Sequence, residues 1–183
     1  MSDELIVRHC APTLAGLKTG NIFTCSYVSL EKLYDSMRTL NRRLLSKGLR
    51  VLPLRIGNNK ALVYVYRPKK LEGDLLRNDA ASILYQNGYT CGSSFKCISQ
   101  LIERLRKSDE FPHEIGLFLG YPPEDVCGFI ENRAKDCKCV GCWKVYGDVK
   151  KAEKLFARYK KCTEVYLRHY ESGCTIERLT VRV

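Results

Sequence analysis

Apolar residues recur at helical spacing through most of this chain and alternate only in short stretches. Leu30, Leu33, Tyr34, Met37, Leu40, Leu44 and Leu45 form one stripe after Ser29, a residue type that accepts the free N–H groups of a first helical turn. Arg38, Arg42 and Lys47 fall away from that stripe and Gly48 closes it, so the pattern predicts a helix from about 29 to 47. Before it, residues 22–27 read as a short strand. After it, residues 49–56 and 61–67 predict two strands joined by Gly57-Asn58-Asn59-Lys60, a hairpin turn. Pro53 cannot donate to a ladder, which places an edge or a bulge there.

Residues 71–107 predict helical pieces broken near Gly88 and Gly92, with Ser93 or Ser94 capping a helix that turns Phe95, Ile98, Leu101, Ile102 and Leu105 inward. Shorter helices are expected at about 112–119 and 123–132, separated by Gly120-Tyr121-Pro122-Pro123, with a strand at about 143–146. Asp148 caps the clearest helix, in which Ala152, Leu155, Phe156, Tyr159, Cys162, Tyr166 and Tyr170 share one face and Gly173 ends the run. From Ile176 the chain alternates, with Leu179, Val181 and Val183 on one side, as a half-buried strand does. Strands toward both ends with helices between predict an α+β fold. The expectation is a single domain over 1–183, with one mixed or antiparallel sheet covered by helices and a helical insert at about 71–132.

The length of 183 residues and 45% apolar content suit one domain that folds without staples. Met-Ser-Asp-Glu-Leu-Ile-Val-Arg lacks the basic and apolar regions of a secretory leader, and the longest apolar runs are too short to span a bilayer. The expected location is the cytoplasm, without membrane attachment. Ten cysteines in a reducing compartment point to metal binding or redox work more than to disulfides. The net charge of +11 is concentrated: residues 32–70 hold eleven Lys or Arg against one acid, Asp35, a net of +10. Such a field attracts polyanions or acidic proteins, the plain alternative being a solubilising face.

Three segments carry candidate chemistry. In the first, His9 stands beside the thiol of Cys10, and Gly16, Lys18 and Gly20, followed by Asn21, have the composition of an anion-holding turn. The Gly-Lys-Ser/Thr ending of a Walker loop is missing, and the alternative is a simple turn with a buried thiol. In the second, Cys137, Cys139 and Cys142 are spaced to wrap one ion, either zinc or an iron–sulfur cluster. A fourth ligand would have to come from Cys127, Cys162, Cys174 or His169. Cys142 alone is the candidate for a redox-active or substrate-facing thiol, with Lys138 and Lys144 stabilising its thiolate. The plain alternative is ordinary cysteines beside a packed Trp143. In the third, Gly116, Gly120 and Val126 have helix-turn-helix spacing, but Glu124, Asp125 and Glu131 would face phosphates, so the segment reads as a packing hairpin. His113-Glu114 is not a zincin motif, because Leu117 stands where the second histidine belongs.

Taken together, His9–Phe23, Pro112–Ile130 and Gly141-Cys142-Trp143-Lys144-Val145-Tyr146-Gly147-Asp148 resemble an uncharacterised family of anaerobic bacteria, catalogued as domain of unknown function 3793. The resemblance covers nearly the whole chain and implies a stand-alone cytoplasmic protein, without an established activity or catalytic residue. It also implies a genomic neighbourhood of flavodoxin and iron-uptake genes, hence redox or iron physiology. Its third segment centres on Gly141–Lys144, without Cys137 or Cys139.

The leading functional expectation is a cytosolic accessory protein or enzyme of redox or iron metabolism. Cys10 and Cys142 would be its thiols. His9, Lys18, Asn21, His113, Glu114, Trp143 and Lys144 would bind an anionic ligand, and the 32–70 region would dock an acidic partner such as flavodoxin. One rival is a nucleic-acid-binding module that stacks bases on Tyr64 and Tyr66 of an exposed sheet. The other is a structural interaction protein with inert cysteines. No reaction follows from the residues alone.

Overall fold

Capping chemistry sets the element boundaries. In the computed structural model, which describes residues 1–90, 92–108 and 110–182, Ser2, Ser29 and Ser93 each accept a backbone N–H from three residues on, at 3.3 Å. Asp148 does the same for Lys151 at 3.0 Å. In chain order the elements are α1 (Asp3–Leu14), β1 (Gly20–Ser26), α2 (Leu30–Leu44), a 3₁₀ turn (Leu45–Lys47), β2 (Arg50–Gly57) and β3 (Lys60–Tyr66). There follow α3 (Pro68–Leu75), α4 (Asn78–Gln86), α5 (Ser94–Lys107), α6 (Ile115–Phe118), α7 (Pro123–Glu131), β4 (Cys139–Val140), β5 (Lys144–Val145), α8 (Val149–Glu171) and α9 (Ile176–Leu179). The fold is α+β. Among the described residues no helix is long and apolar enough to cross a membrane.

The chain divides into two units, residues 1–69 with 161–183 and residues 70–160, and the two divisions fall inside α3 and α8. The first unit holds an antiparallel sheet of order β1-β3-β2. Asn58 and Asn59 both take positive φ, 51° and 57°, as a two-residue hairpin turn requires. Pro53 lies on edge strand β2, and the register shifts between Pro53 and Arg55. One sheet face, including Phe23, Val51, Val63 and Val65, packs in a common core with Ile6 and Cys10 of α1, Leu33, Met37 and Leu40 of α2, and Ile176 and Leu179 of α9. Each of these large apolar side chains contributes about 1.5–3 kcal/mol by leaving water.

Both ends of the chain are helical. Residues 3–14 form a helix that was not anticipated from the sequence, with His9 and Cys10 inside it. Pro12 fits because it lies in the last turn, where only one hydrogen bond to the preceding turn is lost, and its carbonyl takes the N–H groups of Leu17 and Lys18 at 2.9 and 3.1 Å. The tail is not a strand: Ile176–Leu179 is helical, with Ile176 and Leu179 buried three residues apart on one face. Val181 is exposed, and Val183 lies outside the described residues. The helix expected at 112–119 is also shorter, since only Ile115–Phe118 coils.

Arg67 holds the first unit's chain ends. Its side chain is 2% exposed. Its Nε donates to the Thr13 carbonyl at 2.7 Å, and its Nη2 to the carbonyls of Leu14 and Val181 at 2.7 and 2.8 Å. Its Nη1 reaches the Lys47 carbonyl at 3.2 Å. Thr13 and Leu14 end α1 and Lys47 ends the 3₁₀ turn, so the cation sits where helix C-termini present orphan carbonyls and partial negative charge. Burial lowers the guanidinium's pKa. Arg67→Met should cost on the order of 3 kcal/mol in urea unfolding. Arg67→Lys should restore only part of that, because one ammonium cannot span four carbonyls; full recovery with lysine would refute the bracket.

Nearby, Arg43 bridges Asp3 (2.6 Å) and Glu177. The hydrogen bond from Arg43 holds the Glu177 carboxyl down at about 2, from an ordinary value of 4.5. A carboxyl depressed in the folded state stabilises above its unfolded pKa, and that stability is lost as pH falls through the folded value. Arg43→Gln should therefore cost on the order of 1 kcal/mol at neutral pH, since both groups are partly solvated. The gap to the unaltered protein should close between pH 4.5 and 2, as measured by urea melts across that range.

Candidate functional site

The second unit closes around one buried carboxylate. Asp125 lies in the first turn of α7, after Pro122-Pro123, and is 3% exposed. Its Oδ2 accepts the Trp143 indole N–H at 2.7 Å, and its Oδ1 accepts the backbone N–H groups of Tyr146 and Gly147, both at 2.7 Å. A buried Trp needs such a partner, and a buried carboxylate needs several donors. These bonds fasten the β5 segment to the start of α7. The contact is close: a Cβ on Gly128 would lie 2.5 Å from Tyr146, and one on Gly116 would lie 2.8 Å from Val126.

Beside this bracket is a cavity of about 290 Å³. Phe111, Ile115, Tyr121, Phe129 and Trp143 give it a largely apolar, aromatic wall; His113 and Lys144 add basic polar atoms, and Asp125 also lines it, its two oxygens already taken by three N–H donors. Tyr121 stacks on Trp143 with centroids 4.7 Å apart, and Phe156 meets Trp143 edge-on at 4.5 Å. His113 meets Phe129 edge-on at 5.0 Å. The Tyr121 hydroxyl donates to the Cys142 carbonyl at 3.2 Å, and burial pushes its pKa up to about 12, with Cys142 and Tyr159 adding to the shift, so it stays a donor. Lys144 Nζ donates to the Ala134 carbonyl at 2.7 Å and lies 5.9 Å from the Phe129 ring centre, which leaves N–H groups for a further acceptor.

The structure thus brings His113, Trp143 and Lys144 to one cavity from two separate sequence segments. Glu114, next to His113, is instead buried (4%), accepting the Tyr89 hydroxyl at 3.0 Å with Arg104 Nη1 at 3.5 Å. Cys142 stands between the lining residues Gly141 and Trp143 with its side chain exposed.

The first unit holds His9, Cys10, Lys18 and Asn21. His9 stacks on Phe23 at 5.2 Å. Asn21 Oδ1 accepts the Thr13 hydroxyl at 2.8 Å. Lys18 is buried near Cys10. The anion-holding turn is corrected, because the N–H groups of Ala15, Gly16, Leu17 and Lys18 already bond to the carbonyls of Ala11, Thr13 and Pro12. A catalytic Cys10 is corrected as well: its thiol is fully enclosed in the core, and burial raises its pKa far more than Lys18 lowers it.

The ligand loop for zinc or an iron–sulfur cluster is also corrected. Among the described residues no group of three His, Cys, Asp or Glu side chains could hold a metal ion. Cys139 lies in β4 and pairs across to Val145 of β5, while Cys142 lies in the intervening turn. Asp125, Tyr121 and Phe129 were not legible as site residues. The available signal was the lone tryptophan, whose indole N–H requires an acceptor if buried.

A family profile described as protein of unknown function, DUF3793, matches residues 6–180. The chain belongs to that family. No curated protein and no solved structure matches this DUF3793 member significantly. The resembling segments Pro112–Ile130 and Gly141–Asp148 are those that build the cavity and the Asp125 bracket.

Asp125→Asn would turn an amide N–H toward either the indole or the two backbone N–H groups. The expected result is a loss of about 2–4 kcal/mol in stability and a red-shifted Trp143 emission. Unchanged emission and unfolding midpoint would remove the bracket from this account.

Proposed function

We propose that this DUF3793 protein is a ligand-binding accessory protein whose ligand is a small organic anion held in the cavity of the second unit. The observation that carries this reading is that His113, Trp143 and Lys144 line one concave, largely apolar space. An apolar wall with a few convergent polar groups is the usual form of a small-molecule site. Lys144 supplies a cation beside the wall, and an anion there would gain both charge and hydrogen bonds. The exposed thiol of Cys142 adjoins the lining residues, which keeps redox or iron physiology as the setting of the proposal.

An acidic partner such as flavodoxin is the second part of the proposal. Lys32, Arg38, Arg50, Arg55, Lys60 and Lys69 are exposed on the first unit and support such docking. The nucleic-acid alternative loses its stacking platform, since Tyr64 and Tyr66 are 0% and 8% exposed and stack on each other at 4.5 Å.

The lone tryptophan, Trp143, reports on the cavity directly. Titration with 4-phenylbutyrate should change its fluorescence, and 4-phenylbutylamine, the matched cation, should bind about tenfold more weakly, roughly 1.4 kcal/mol. Lys144→Met combined with His113→Gln should erase that preference. Equal affinity for the two probes in the unaltered protein would refute the anion reading, and no response to either would refute the cavity as a ligand site.

A further inference from the structure

We infer that the ligand is a small planar aromatic acid. This rests on the reading of the cavity as an anion site and goes on to its substrate class. The rings around the cavity are posed by contacts that need no ligand. Trp143 is pinned by the Asp125 carboxylate at 2.7 Å and by the edge of Phe156. Tyr121 is pinned against Trp143 by its stacking and by the hydroxyl bond to the Cys142 carbonyl. Phe129 is held edge-on to His113, with Lys144 over its face. Walls held in this way present ring surfaces that suit a flat ring better than a puckered one.

A planar ring system meets such walls in the offset and edge geometries that aromatic quadrupoles favour, and it loses no internal rotors on binding. At about 290 Å³ the cavity is at the small end for ligand pockets and has room for two fused rings with a carboxylate. The acid group goes to Lys144 and His113, the lining residues that carry basic nitrogen.

Calorimetry on the full chain tests this with acids of matched charge. 2-Naphthoate is the planar probe, and decahydro-2-naphthoate has the same carbon skeleton, saturated and puckered. 2-Naphthoate should bind about tenfold tighter. Phe129→Leu removes one ring at similar volume and should bring the two naphthalene-derived acids to equal affinity. The unaltered protein decides the matter by itself should that variant not fold. Equal or tighter binding of the saturated acid would overturn the aromatic class while leaving the anion site standing. If no acid binds, both readings fall together.

Discussion

The second unit depends on burying one carboxylate. Asp125 gives up water, so its oxygens must find donors, and those donors come from 18 to 22 residues further along the chain. Once Trp143, Tyr146 and Gly147 supply them, the path of the hairpin is set against α7. The glycines follow from that closeness. A Cβ on Gly147 would lie 2.7 Å from Glu124, and one on Gly141 would lie 2.2 Å from Phe156. The cavity is the space left where Trp143, held by its nitrogen, cannot turn to fill it.

The first unit solves the converse problem. Arg67 is a buried cation satisfied by four backbone carbonyls, as Asp125 is a buried anion satisfied by an indole and two backbone N–H groups. Neither of these sets of partners contains an opposite formal charge. This changes what the charge count of residues 32–70 means. Arg43 is met by Asp3 and Glu177 from outside that segment, so part of the charge in the sequence tally is offset, whereas the Arg67 charge is met by carbonyl dipoles alone and is not cancelled.

Elements defined by a cap, a stripe and a closing residue were legible: α2 with Ser29 and Gly48, α5 with Ser93, α8 with Asp148, and the Asn58-Asn59 hairpin. These signals are local, and the structure follows them in where the elements run, but Phe95, expected inward on α5, is exposed, as are Leu30, Tyr34 and Leu45 at the margins of the α2 stripe. The helix over 3–14 was hidden because Pro12 and Gly16 read as a turn, although Ile6, Val7, Cys10 and Leu14 have helical spacing. The tail was ambiguous because a run as short as 176–183 satisfies both periods, and packing against α1 selected the helix. His113, Trp143 and Lys144 stood out by residue type. Asp125 did not, because its donors are remote in sequence and a carboxylate in a first helical turn is ordinary.

The thiols sort by the same physics. Reactivity requires a thiolate with access to a partner. Cys10 and Cys25 lie in the core, where burial raises their pKa values. Cys127 donates to Glu131 at 3.1 Å, and that bond raises it too. Cys139 is raised by partial burial and by the nearby Glu153 and Cys137. Among the described cysteines, Cys142 is the one with an exposed side chain. It follows Gly141, whose missing Cβ lets the turn close on Phe156, and precedes Trp143, whose pose Asp125 fixes. The proposed anion site and the most accessible described thiol therefore fall on adjacent residues of one turn. A ligand seated against Trp143 would lie beside the residue that carries that thiol.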